Sequence, residues 1–189
     1  VKTFYNKLKN VSGRAADLYE EWKRLASQTY PGAGAEVANV AGMYGIEEER
    51  VDGSKLFFAI QTYYALILKM LAAEVASRFY DSVISSFMEE LRKRVGEPDR
   101  LREELARLEQ GGPMAWYGVR NLLEGQLYSW YLDVWDGEVY KVVKGVVEKL
   151  AEFDVEALEL NPSHARDVFK VLYEELVPRR EVRQKLGIY

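Results

Sequence analysis

Apolar residues recur along this chain at intervals of three and four, and that spacing predicts helices almost throughout. In "RAADLYEEWKRLAS", Ala15, Leu18, Tyr19, Trp22, Leu25 and Ala26 fall on one helical face, with Ser12 placed ahead as a cap. "YPGAG" breaks the run. "AEVANVAGMYG" reads as a short helix with Val37, Val40, Ala41 and Tyr44 facing inward, and "IEEERVDG" as a solvated acidic loop. Ser54 is expected to cap a long helix over 55–78. That helix is apolar on most of its circumference and so belongs in the middle of a bundle.

Further on, "YDSVISSFMEELRKRVGEP" predicts a helix ending at Gly96, with basic residues in its last turn as the helix dipole prefers. "PDRLREELARLEQGG" predicts a charged helix held by a narrow stripe of Leu101, Leu105 and Leu108, and "GGP" ends it. In "VWDGEVYKVVKGVVEKLAEF" the valines favour strand locally, but Trp135, Val139, Val142, Val143, Val146 and Leu150 keep helical spacing. "NPSHARDVFKVLYEELVP" starts a helix with Asn161 as cap and Pro162 at its first position, and Pro178 stops it. The sequence therefore predicts an all-α bundle of roughly seven to nine helices around the 55–78 helix. The Gly-Gly-Pro break divides it into a subdomain over 1–110 and another over 111–178, with 179–189 as a basic connector.

Composition narrows the chemistry. With 48% hydrophobic and 30% charged residues in 189, the chain supports a real core. The net charge of −4 argues against a surface that binds nucleic acid everywhere, while allowing a local basic patch. No cysteine is present, which removes disulfides and thiolate ligands and is compatible with a reducing, cytoplasmic setting. One histidine, His164, rules out a multi-histidine metal site, and no phosphate-binding glycine motif occurs. The run "LFFAIQTYYALILKMLAAEVAS" nears membrane-spanning length. It carries Lys69 and Glu74, each costing about 2.5–3.5 kcal/mol at a bilayer centre, so a buried bundle helix is expected and no membrane. The opening Val1 points to processing or to a fragment.

Few constellations carry chemistry. His164 reads as a histidine in the first turn of a helix. The carboxylate pairs Asp133 with Asp136 and Glu89 with Glu90 match Mg²⁺ or acid–base chemistry, but thirty carboxylates make such pairs by chance, and surface charge is the expectation. Pro98-Asp99 and Glu21-Trp22-Lys23 carry the parts of a nuclease pattern, but in reversed order and on helix-like segments, so no nuclease site is expected. Trp116, Tyr117, Tyr128, Trp130, Tyr131 and Trp135 are able to stack on bases. Arg120 is the only cation among them, so a hydrophobic core is expected instead. The closing "VPRREVRQKLGIY" differs: Arg179, Arg180, Arg183 and Lys185 against Glu181 give a local charge of about +3. That charge suits either a solvated tail or phosphate contact.

The string from "LLEGQLYSWYLDVWDGEVY" to "LYEELVPRREVRQKLGIY" resembles the segment that precedes the catalytic domain in large N6-adenine DNA methyltransferases of the fused restriction–modification type. There a helix ends "LY..LVPR" and runs into a pattern close to "E-V-R-H-x-L-G-E-Y-Y-T-P". "LFFAIQTYYALILKMLAAEVAS" similarly resembles a family helix of the form "QTYxALLxKLLA". The two blocks come in the family's order and cover about half the chain. Gln184, Lys185 and Ile188 depart from the pattern, the chain stops at Tyr189, and the family's "DPACGSG" and "NPPY" motifs are absent.

The resemblance implies a helical module in front of an S-adenosylmethionine-dependent enzyme, carrying no catalytic or cofactor residue itself. Its implied partners are a downstream methyltransferase domain and duplex DNA, with Arg179, Arg180, Arg183 and Lys185 near the phosphates. The acidic balance favours an alternative, an autonomous helical scaffold that binds proteins through an apolar groove. A third reading, a small-molecule or hydrolytic bundle, requires a deep pocket on which Asp133, Asp136 and Glu124 converge.

Overall fold

The computed structural model describes residues 1–29, 37–80, 86–112 and 126–152. Within them the protein is all-helical, with no strand. Helix α1 (Lys2–Leu8) and α2 (Arg14–Thr29) precede a 3₁₀ turn at Ala41–Tyr44 and the long α3 (Gly53–Tyr80). Helices α4 (Phe87–Arg92) and α5 (Pro98–Glu109) follow, then a second 3₁₀ segment at Leu127–Leu132 and α6 (Gly137–Ala151). The helix expected over 161–178 lies outside the described residues.

Helix α3 is the expected central member. Leu56, Phe57, Phe58, Ala59 and Ile60 are all buried in succession, which only a helix surrounded on every side permits. Its cap is Asp52 rather than Ser54. The Asp52 carboxylate accepts from the backbone N–H groups of Ser54 and Lys55, both at 3.1 Å, so the helix begins two residues before the expected start. A carboxylate satisfies orphan N–H groups and also suits the positive helix end.

The flanking elements follow their stripes. Helix α2 buries Ala15, Tyr19 and Trp22, while Leu25 stays 38% exposed, so its buried face is narrower than the apolar spacing alone suggests. Helix α5 buries Leu101, Leu105 and Leu108 as expected. Helix α6 buries Val139, Val143, Val146, Val147 and Leu150, so packing overrides the strand preference of its valines. Two elements differ from expectation. Val37 and Ala38 are helical as expected, but Ala41–Tyr44 forms a 3₁₀ turn, closed by Gly45 at φ +67, a left-handed conformation that glycine adopts without strain. The fourth helix stops at Arg92, four residues before Gly96.

One core runs through all of these elements, from Phe4 to Leu150. Its centre is aromatic. Phe58 lies 4.9 Å from the Trp22 ring, 5.9 Å from Tyr128 and 5.7 Å from Trp130. Phe4 meets Trp130 edge-on at 5.7 Å and Tyr131 at 5.9 Å. Tyr128, Trp130 and Tyr131, the base-stacking candidates, are thus core rings, with Trp130 and Tyr131 fully buried.

Candidate functional site

Polar side chains on α3 tie the other elements to it. Gln61 Oε1 accepts from Trp22 Nε1 at 2.6 Å and from Tyr128 Oη at 3.0 Å. Thr62 Oγ1 accepts from Trp130 Nε1 at 2.8 Å and donates to the Phe58 carbonyl. Two turns on, Lys69 Nζ donates to Glu109 Oε2 at 2.5 Å, and Tyr131 Oη donates to the other oxygen at 3.0 Å. Both charged side chains of this pair are 3% exposed. Burial first, and then the Glu109 charge and hydrogen bond, push the Tyr131 phenol well above its usual pKa, so it remains a protonated donor. Near the end of α3, Glu74 accepts from Ser86 Oγ and from the Met88 backbone N–H at 2.8 Å, and pairs with Arg78. Its carboxylate therefore holds the start of α4, where Ser86 also accepts from Glu89 N–H at 3.1 Å. These groups fix helix positions.

The paired carboxylates prove to be structural. Asp133 binds Arg14 at 2.5 Å, and Arg14 also donates to Ser129 at 2.7 Å, joining α2 to the second 3₁₀ segment. Asp136 caps α6 by accepting from the Glu138 and Val139 N–H groups, both at 3.0 Å, and takes Lys7 at 2.5 Å. Glu89 and Glu90 pair with Arg92 and Lys93 one turn away. Among the described residues no three His, Cys, Asp or Glu side chains gather as a metal set. His164, Glu124, Arg120, Trp116, Tyr117 and the basic residues Arg179, Arg180, Arg183 and Lys185 lie outside the described residues.

The cap makes a pH prediction. The Lys7 hydrogen bond, and then the helix N–H groups, hold the Asp136 carboxyl below its ordinary value of 3.8. A carboxyl lowered on folding contributes stability that is fully present above its unfolded pKa and is lost as pH falls through the folded one. Asp136→Ala is expected to cost about 1 kcal/mol near neutrality, by the usual worth of an N-cap. The difference from the unsubstituted protein should shrink as pH drops below 3.8. Urea titrations at several pH values measure it; a difference that stays constant into acid would contradict the assignment.

The described residues also form an open feature. A groove of about 1120 Å³ runs between α1, α3 and α6, with Tyr63 and Ile67 on one wall and Val142 and Val146 on the other. Gly145 and Lys149 also line it, but neither Asp133 nor Asp136 does. Asp133 and Asp136 therefore do not converge on this groove, and Glu124 lies outside the described residues. Glycine inside a helix is about 1 kcal/mol less favourable than alanine. A Cβ added at Gly145 meets nothing within 4 Å, so no steric contact demands the glycine. The sequence carried this signal in "KVVKGVVEK", a glycine set between lysines inside a valine-rich helix, and periodicity alone overlooks it.

The apolar stretch Gly53–Arg78 is long enough to cross a membrane and has a mean hydropathy of 1.6, yet 78% of that window is buried inside the protein. No family model, curated protein or solved structure matches this chain.

Proposed function

We propose that the chain is a helical accessory module standing in front of an S-adenosylmethionine-dependent DNA adenine methyltransferase domain, without catalytic or cofactor residues of its own. The observation that carries this reading joins the two sequence blocks on which the resemblance rests. Gln61 and Thr62, in the "QTY" block of α3, accept hydrogen bonds from Tyr128 and Trp130 of the "LYSWYL" block. Residues distant in sequence are thus joined in one core, which supports the reading of a supporting module. Residues 179–189 then lie at duplex DNA, with Arg179, Arg180, Arg183 and Lys185 on the phosphates. Such contacts give affinity and salt dependence without reading sequence. The setting that suits this module is cytoplasmic.

Replacing all four cations with alanine is expected to weaken binding to a labelled duplex and to reduce the slope of log K against log salt by about 3–4. Anisotropy titrations between about 50 and 200 mM salt check it. An unchanged slope would remove the tail from the DNA interface.

The groove favours a second reading: a helical scaffold that binds protein partners without nucleic acid. Its mainly apolar walls open at the surface, beside a core that the chain fills elsewhere.

A further inference from the structure

We propose that the groove between α1, α3 and α6 docks an amphipathic helix with acidic flanks, presented by a protein partner. The proposal rests on the scaffold reading and names the chemistry of its partner; it does not depend on DNA binding by the tail.

The groove is larger than a usual small-molecule site. Its volume of about 1120 Å³ exceeds the usual small-molecule range of about 300–1,000 Å³, and it lies along the helical wall of α6. Its floor is apolar: Ile67, Val146 and Leu150 are buried, and Tyr63 and Val142 are half-buried. An apolar stripe at i, i+3, i+4 and i+7 on an incoming helix is the complement of such a floor.

Gly145 sets where that helix crosses. Lys141, Gly145 and Lys149 stand four residues apart and form one ridge of α6, with the glycine as a notch between two long side chains. The space where a Cβ would stand on Gly145 is empty to 4 Å, so nothing inside the described chain calls for the notch. A missing side chain on a helix ridge lets a second helix backbone come close.

Charge selects the partner. Lys2 lines the groove from α1, and Lys141 and Lys149 line it from α6; the Lys2 charge also acts on Glu48. None of these three lysines has an ion-pair partner among the described residues, whereas the neighbouring Lys144 pairs with Glu148. The two groove-lining glutamates, Glu138 and Glu152, stand against the three lysines, and Lys7, which holds Glu138 at 2.6 Å, is shared with Asp136. The rim is therefore positive on a chain of net charge −4. Carboxylates flanking an apolar stripe would meet Lys141 and Lys149 on either side of the crossing point.

The test uses the full chain and two fluorescein-labelled 18-residue helical peptides. They share one leucine stripe and differ only in carrying glutamate or lysine on its flanks. The glutamate peptide is expected to bind saturably. Lys141→Glu with Lys149→Glu should weaken it tenfold or more, and Gly145→Leu should abolish binding, with circular dichroism unchanged in both variants. Equal binding of both peptides would overturn the acidic preference while leaving the groove as a docking site. Binding of neither would overturn both the proposal and the scaffold reading. A concentration-dependent dimer dispersed by Gly145→Leu would assign the groove to a second copy of the chain and overturn the proposal as well.

Discussion

Replacing Lys69 with alanine is expected to destabilise the protein by about 3–5 kcal/mol, because it strands Glu109 as a buried charge. The pair is 2.5 Å apart and both side chains are 3% exposed, so water cannot take the place of the lost ammonium group. Tyr131 still donates to one Glu109 oxygen, but a single phenol does not neutralise a carboxylate. Stabilities of domains are about 5–15 kcal/mol, so the single substitution removes a large share. The double variant Lys69→Met with Glu109→Leu removes both charges and should recover much of the loss, leaving the Tyr131 hydroxyl without its acceptor at about 1–3 kcal/mol. Urea unfolding of the three proteins decides it. A loss below about 1 kcal/mol in the single variant, within the range of an exposed pair, would show that the pair is hydrated.

Trp130→Ala carries the second large effect, about 3–5 kcal/mol by the cost of emptying a buried aromatic site. Trp130 is fully buried, stacks on Phe58, meets Phe4 edge-on and donates to Thr62 at 2.8 Å. The cavity opens at the junction of α1, α3 and the second 3₁₀ segment, where no single element can shift to fill it. Trp130→Phe keeps most of the volume and gives up the indole N–H, and is expected to cost less than half as much. If alanine proved no worse than phenylalanine at this position, the ring would be peripheral to the core. A base-stacking role for Trp130 would require the ring at the surface, where its loss costs little.

Much of the architecture was legible because helices report themselves locally. The stripe Leu101, Leu105 and Leu108 in α5 follows directly from the 3.6-residue period, and the unbroken apolar run Leu56–Ile60 in α3 from a helix apolar all round. The proline start of α5 was equally local. Caps were harder. Ser54 and Asp52 both stand at the start of α3, and the choice between them depends on which side chain reaches the N–H groups of residues 54 and 55. Spacing alone did not separate the 3₁₀ turn at Ala41–Tyr44 from the helical residues Val37 and Ala38 before it.

Site residues divide the same way. That Asp133 and Asp136 were a chance pair was the expectation, but their partners Arg14 and Lys7 come from the far end of the chain, more than a hundred residues away. No local pattern names such a partner. The groove was invisible for the same reason, because it needs α1, α3 and α6 side by side, and only the glycine between two lysines hinted at it.

The sequence by itself determined the helical class, the central place of α3 and the inward aromatic faces, because periodicity and burial are properties of short stretches. Tertiary structure alone decided that Lys69 faces Glu109 and that Glu74 holds the start of α4. It also decided that Lys2, Lys141 and Lys149 line one open groove. Those outcomes depend on which helix lies beside which, and that is fixed by packing among distant residues.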